Sequence, residues 1–396
     1  MTASAGYYHA DDRGRAESAQ FVSAIIFTLT AFFLPMKAFA VNAGGLSIYL
    51  PYLGLFFACA FMLSGVLKVI AQYFVWPMTV IFSLSLFYYW QTGFHADVFV
   101  FDAKIGAMLA MSALYILSLR SDEKRLTDYL FAGIAVSVVY MIYQGVSLQL
   151  FGGGLPFTSI DFFEIGRGLG SRYGFVRTTG FTEEPSYIAV ILVGSGLLFR
   201  SYQIRTGEVQ TRRYWVILLG LMLCTSNSLF ATVPLLLLFS LFYSIRAPFL
   251  FFVAFYALNL AVAPAVINID ETFFARFSSY EQFVRLPPWQ WLTGTGFNQY
   301  SSLQFPVFVN EDGIATMVVD SIASLWGGVL LEGGIFFALL FCLYLSRITQ
   351  VAKSGTGFAL MAILIMLANY YSPWWPIVSL ALAYALVSRE SPEEAA

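Results

Sequence analysis

Arg167, Arg172 and Arg177 recur every five residues in GRGLGSRYGFVRTTGF, where interspersed glycines let the backbone approach a ligand closely. Glu184 follows seven residues after Arg177, directly before Pro185. A second pair, Arg276 and Arg285, lies in ETFFARFSSYEQFVR, and Asp320 comes later in the chain. A guanidinium is a planar fork that binds phosphate oxygens two at a time, so these five cations suit a diphosphate better than lysines would. Glu184 or Asp320 could take a proton from an attacking hydroxyl if apolar surroundings raised its pKa.

Each of these residues also has a plainer role open to it. Glu183 and Glu184 sit at the electropositive start of a helix opening at Pro185, where acids commonly just satisfy the dipole. Arg177 could form a salt bridge to either of them. His95, beside Asp97 in a short loop, reads as a surface histidine rather than a base.

The elements that position these side chains are membrane-spanning helices. The chain has 396 residues, 59% hydrophobic and only 11% charged, with 40 Phe, 23 Tyr and 8 Trp. Its apolar stretches repeatedly reach the roughly 17–25 residues needed to cross a bilayer. They run continuously apolar rather than alternating over about ten residues, which excludes a β-barrel. We therefore expect an all-α polytopic integral membrane protein of about twelve transmembrane helices. The spans lie near 20–41, 46–67, 73–91, 103–119, 127–151, 185–200, 214–226, 228–245, 247–267, 319–345, 357–371 and 373–388. Cys59, Cys224 and Cys342 all fall inside apolar spans, which supports neither a disulfide framework nor a cysteine metal site. The first apolar run lacks a well-placed small-residue cleavage site and is expected to stay as a helix.

Charge placement orients this map. Arg13, Arg15, Lys68, Arg120, Lys124, Arg125, Arg200, Arg205, Arg212, Arg213, Arg246, Arg347, Lys353 and Arg389 fall on one side, 14 of the 21 Lys and Arg. The positive-inside bias makes that side, with both termini, cytoplasmic. Residues 1–396 then form a single membrane domain with two long external loops, 152–184 and 268–318. The five loop arginines stand against the bias, and an anionic ligand outside the membrane would account for them.

In the second loop, Phe273, Phe277, Tyr280 and Val284 fall on one helical stripe, flanked by Arg276, with Arg285 well round on the other side. An interfacial amphipathic helix is the expected form, and a mere rim-covering helix with snorkelling arginines is the bland alternative. Gly294-Thr295-Gly296 follows no βαβ pattern, so a nucleotide fold is set aside. Glu332, next to Gly333-Gly334, is the ionisable group deepest in a span, where a functional role is the default and a structural charge pair the alternative.

Taken together, these segments resemble the bacterial O-antigen polymerases (Wzy), within the wider O-antigen ligase and polymerase group. Arg177-Thr178-Thr179-Gly180-Phe181 followed by Glu184-Pro185-Ser186 is similar to that family's Arg–Gly–Phe and Glu–Pro–Ser segment. Trp291-Leu292-Thr293-Gly294-Thr295-Gly296-Phe297, preceded by Arg276, looks like its second motif, and Ser324 to Gly334 like the span after it. Arg285 and Gly296 have the Arg, ten residues, Gly spacing of some members' external loops; the first loop lacks that spacing. The resemblance covers roughly residues 170–345.

It implies a GT-C-like fold and a polymerase in the bacterial inner membrane, active at its periplasmic face. Such enzymes join undecaprenyl-diphosphate-linked oligosaccharide repeat units into surface polysaccharide and release undecaprenyl diphosphate. The implied partners are the lipid-linked donor and acceptor, membrane lipid and a chain-length regulator protein, with no nucleic acid. Arginines can carry the countercharge to the leaving diphosphate, so no cofactor or metal is required in principle. Arg177 and Arg276 are then the leading diphosphate ligands, with Arg172, Arg285 and Arg167 secondary. Glu184 is preferred to Asp320 as base because it falls in the Glu–Pro–Ser segment. A secondary transporter or flippase is the main alternative. An O-antigen ligase is the second, and it is disfavoured because the only histidines, His9 and His95, are far from the tenth span.

Overall fold

The computed structural model describes residues 21–36, 40–43, 46–93, 96–159, 170–172, 175–182, 185–224, 234–235, 237–242, 247–267, 271–297, 307–309, 315–318, 324–351, 360–361, 363–364 and 376–387. Their helices are α1 (Phe21–Phe32), α2 (Leu50–Tyr73), α3 (Val75–Thr92), α4 (Ala96–Phe151), α5 (Pro185–Thr206), α6 (Thr211–Cys224), α7 (Pro248–Val266), α8 (Glu271–Arg285), α9 (Pro288–Thr293), α10 (Leu325–Val351) and α11 (Pro376–Val387). Three short antiparallel ribbons accompany them: β1 (Ala40–Ala43) with β2 (Leu46–Tyr49), β3 (Gly170–Arg172) with β4 (Phe175–Arg177), and β5 (Val307–Val309) with β6 (Ala315–Val318).

Among the described residues, five helices are long and apolar enough to cross a membrane: Leu50–Tyr73, Val98–Phe151, Pro185–Thr206, Pro248–Val266 and Leu325–Thr349. Phe56, Phe61, Leu86, Trp90, Val139 and Leu150 are exposed on α2, α3 and α4, a display of apolar surface that water would not tolerate and lipid would cover. The protein is a helical, membrane-embedded one. The expected boundaries shift in several places. The facing ends of the spans expected at 20–41 and 46–67 lie partly in the β1–β2 ribbon, where Ala40 pairs with Tyr49 and Val41 with Ile48. The spans expected at 103–119 and 127–151 are the two halves of α4, broken at Asp122 (φ −158°, ψ 76°). Asp122 caps the second half, its Oδ1 accepting the Arg125 N–H at 3.0 Å. The span expected at 228–245 and that at 357–371 lie mostly outside the described residues.

The chain divides into two compact units. The first comprises Met1–Leu67, Leu117–Ile188 and Thr211–Thr225. In it Phe27 packs on Tyr129 with ring centroids 6.0 Å apart, and the Arg125 guanidinium lies 5.6 Å from the Phe27 ring centre. Arg213, almost fully buried, pairs with Asp128 and lies 5.3 Å from the Phe131 ring centre. A cation so placed keeps both a counter-ion and a polarisable face, which offsets its desolvation.

The second unit comprises Lys68–Ile116, Ala189–Gln210 and Ser226–Ala396. Its core centres on Trp326, fully buried in the first turn of α10, whose indole N–H donates to the Leu364 carbonyl at 3.0 Å. Phe252, Phe255 and Tyr256 from α7 and Phe341 from α10 surround that ring at 5.2–5.8 Å. Ser324 caps α10 by accepting the Gly327 N–H at 3.2 Å.

Candidate functional site

The first group of loop residues sits on a platform within the first unit. In the β3–β4 ribbon Gly170 faces Arg177 and Arg172 faces Phe175, so positions 172 and 177 are diagonal register neighbours in one ribbon. Thr178 ends the ribbon and caps α6: its N–H and its hydroxyl donate to the Leu223 carbonyl at 3.0 and 3.1 Å. That carbonyl is among those a helix C-terminus leaves unpaired, so the contact satisfies both partners.

On the other side the segment rests on α4. Gln144 is fully buried, and its Oε1 accepts the N–H groups of Thr179 at 3.2 Å and Gly180 at 3.0 Å. Its Nε2 lies 3.2 Å from the Thr158 carbonyl, 3.3 Å from Thr179 Oγ1 and 3.4 Å from the Gly180 carbonyl, two N–H groups shared among three acceptors. Tyr140 and Tyr143 donate to the Phe157 and Pro156 carbonyls, and Ser147 Oγ shares a proton with Thr158 Oγ1 at 2.5 Å. Residues 140, 143, 144 and 147 recur at helical spacing and form one face of α4. Phe181 stacks on Tyr140 with centroids 4.2 Å apart. Gly180 takes φ +58°, and a Cβ there would lie 3.3 Å from Met141 Cγ. Each residue of Thr178-Thr179-Gly180-Phe181 thus has a tertiary task, and Arg177, half-buried, is held immediately before them.

The second group lies within the second unit. Helix α10 breaks at Gly334 (φ 68°, ψ −176°), two residues past the buried Glu332. The break frees helix carbonyls, and the loop after α9 supplies their donors: Thr295 N–H to the Leu331 carbonyl at 2.9 Å, Gly296 N–H to that of Glu332 at 3.0 Å. Tyr88 of α3 spans the same junction, its hydroxyl bonding the Thr293 carbonyl and lying 2.9 Å from the Glu332 carbonyl. A side chain at Gly294 would collide with the Glu332 carbonyl, and one at Gly334 would come within 2.5 Å of the Gly294 amide nitrogen. Two glycines therefore allow the backbones to meet. Phe297 anchors the loop, stacked on Phe101 at 4.7 Å and edge-on to Phe337 at 5.1 Å. Beside the junction is a cavity of about 130 Å³, lined almost wholly by apolar side chains such as Trp76, Phe101 and Phe337, with Glu332 on its wall.

Helix α8, the segment expected as an interfacial amphipathic helix, packs on α7 and α10. Its buried face carries Phe274, Ser278, Ser279, Tyr280, Gln282 and Phe283, while Val284 is exposed. Of the expected Phe273-Phe277-Tyr280-Val284 stripe, Tyr280 is buried, Phe277 half-buried and Val284 exposed, and the Phe273 side chain lies outside the described residues; burial extends instead to Phe274, Ser278, Gln282 and Phe283. Burial pushes the Tyr280 phenol well above its ordinary pKa. Arg276 is half-buried on this helix. Arg285 is exposed and paired with Glu281 one turn earlier.

Of the residues expected to bind or react, the structure brings the backbones of Arg172 and Arg177 together in one ribbon and sets Arg276 and Arg285 on one helix. Arg167, Glu184 and Asp320 lie outside the described residues. Gln144, Tyr140, Ser147 and Tyr88 escaped the sequence reading; the one signal available was polar side chains inside apolar helices. Among the described residues, no group of three or more His, Cys, Asp and Glu is arranged to hold a metal ion. Comparison of the chain with known protein families, with characterised proteins and with solved structures finds no match.

Proposed function

We propose that the chain is a glycosyltransferase of the O-antigen polymerase kind. It is a GT-C-like protein of about twelve spans in the bacterial inner membrane, with both termini cytoplasmic and its site facing the periplasm. An acceptor-sugar hydroxyl on one undecaprenyl-diphosphate-linked repeat unit attacks the anomeric carbon of a second. The bond from that carbon to the phosphate oxygen breaks, undecaprenyl diphosphate leaves with the electron pair, and the hydroxyl proton passes to Glu184, with Asp320 the other acceptor considered. Arg177 and Arg276, with Arg172, Arg285 and Arg167 secondary, neutralise the charge developing on the leaving group.

The observation that carries this reading is the mounting of Arg177. An arginine in a loop expected outside the membrane ends a ribbon whose next three residues are tied by hydrogen bonds to α6 and, fully buried, to Gln144 of α4. Pre-set donors stabilise developing charge without reorganising during the reaction. The test is reconstitution in proteoliposomes with undecaprenyl-diphosphate-linked repeat units. A ladder of longer lipid-linked glycans, lost in Arg177→Ala, supports the reading, and intact wild-type protein that makes no ladder overturns it.

A secondary transporter or flippase remains the second reading, favoured by the break in α10 beside Glu332. Interrupted helices with a buried ionisable group are how many transporters build a site. Movement of the lipid-linked unit across the vesicle membrane, with no change in its length, would select this reading.

A further inference from the structure

We infer that Gln144 is a positioning residue for Arg177, acting through the backbone of Thr179 and Gly180. The inference rests on the diphosphate-binding role proposed above for Arg177. Gln144 lies inside α4, fully buried, and does not belong to the loop whose shape it sets. Its carboxamide reads the loop as a complementary strand would: Oε1 takes two consecutive amides, at 3.2 and 3.0 Å, while Nε2 faces the carbonyls of Thr158 and Gly180 at 3.2 and 3.4 Å.

This joins two stretches of the first long loop, around residue 158 and around residues 179–180, to a single side chain. The two amides converge on Oε1, and immediately after them Gly180 turns the chain with φ +58°. Convergent amides make a small anion-like binding pocket, and here the glutamine oxygen occupies it. Without an acceptor, both donors would be buried and unpaired, and the turn would open towards a conformation that pairs them elsewhere. Arg177 stands two residues before the first of these amides, with only Thr178 between, and Thr178 is tied to Leu223. Opening the turn therefore moves the arginine.

Among the described residues, the other polar side chains on this face of α4 bond a different part of the loop. Ser147 engages Thr158, and Tyr140 and Tyr143 bond the carbonyls of residues 157 and 156. These hydrogen bonds hold the first stretch of the loop. The stretch that carries Arg177 is held on the α4 side by Gln144 hydrogen bonds and by Phe181 stacking on Tyr140.

The test uses full-length protein in nanodiscs and undecaprenyl diphosphate as the probe, with affinity measured for Gln144→Met, Arg177→Ala and the double variant. Methionine keeps the length of the side chain, so the helix packs while both amides lose their acceptor. We expect Gln144→Met to weaken binding by about ten- to one-hundred-fold, the scale of buried amides left unsatisfied. We also expect the double variant to bind no more weakly than Arg177→Ala alone, because a lesion that acts through the arginine has nothing left to remove. Hydrogen exchange at the Thr179 and Gly180 amides should quicken in Gln144→Met. Gln144→Glu, which retains an oxygen for both amides, should protect them better than methionine does and keeps the test open if Gln144→Met does not fold.

Additive losses in the double variant would show a general packing role and overturn the inference. Unchanged affinity in Gln144→Met, with Arg177→Ala still weak, would overturn it while leaving the proposed function standing. Unchanged affinity in Arg177→Ala would remove the diphosphate role of that arginine, and the inference with it.

Discussion

The amide of Gly296 donates to the carbonyl of Glu332 at 3.0 Å, so that a loop backbone completes the hydrogen bonding of a helix interrupted at Gly334. Irregular backbone inside a membrane protein is tolerated only where protein or water satisfies it. Here a second segment does so directly, and the buried Glu332 is held at the junction.

Replacing either glycine at this junction should be costly. Gly294 (φ 72°, ψ −169°) and Gly334 (φ 68°, ψ −176°) occupy a backbone region open essentially to glycine alone, which costs an alanine about 1–3 kcal/mol. The added methyl would also strike the facing backbone. Gly294→Ala and Gly334→Ala should each lower unfolding stability by about 2 kcal/mol or more, as the strain adds to overpacking. Denaturant titration in detergent measures this, and wild-type stability in both would mean that the segments do not touch.

Tyr88→Phe makes a milder test of the same contact. It removes the hydroxyl that bridges Thr293 and Glu332 but leaves the ring against Phe297. The Glu332 carbonyl keeps its bond from Gly296, so the expected loss is about 1 kcal/mol, that of one hydrogen bond. The same titration reads it.

Among the arginines, position decides the expected effect. Removing one member of a buried charged contact costs roughly 2–5 kcal/mol, or about 30- to several-thousand-fold. Arg177→Ala and Arg276→Ala should each lose most polymerisation at normal membrane levels, and lysine at either position should be impaired for want of a planar fork. Arg285 is exposed and paired with Glu281, a contact worth about 0.3–0.5 kcal/mol, so Arg285→Ala should retain most activity. Full activity in both Arg177→Ala and Arg276→Ala would end the diphosphate hypothesis.

Orientation can be read by labelling. Cysteines placed at Ser159 and Ser301 should react with an impermeant reagent in spheroplasts, and one at Thr206, exposed at the end of α5, should not. Reaction at Thr206 alone would put the arginine loops in the cytoplasm.

The base is tested by Glu184→Gln, which keeps the shape and most hydrogen bonds of the side chain but cannot accept the proton. It should slow polymerisation throughout pH 6–8 without lowering affinity for undecaprenyl diphosphate, with rates measured across roughly that range. Wild-type rates would exclude Glu184 and make Asp320 the residue to examine.

How much of this could be read in advance differs by element. Helix α3 and helix α7 match their expected spans closely, because continuous apolarity between turn signals marks a membrane helix without reference to partners. The break in α4 was visible as the charged run Arg120 to Arg125, with Asp122 ready to cap the second half of that helix. On α8 the expected stripe shares Tyr280 with the buried face, but Val284 is exposed and burial runs through Phe274, Ser278, Gln282 and Phe283, since periodicity gives a stripe and the neighbouring helices decide which side is covered. Gln144 was passed over altogether: one glutamine among apolar residues says nothing about what it will bond.

By itself the sequence determined that this protein is embedded in a membrane, and that five arginines cluster in two polar segments, 167–177 and 276–285. Both follow from composition summed along the chain, which no fold can alter. Tertiary structure alone decided that Gln144 holds the Thr179 and Gly180 amides and that Gly294 meets Glu332. Those contacts join residues 35 or more positions apart through backbone amides and carbonyls, groups that almost every residue possesses and no residue type announces.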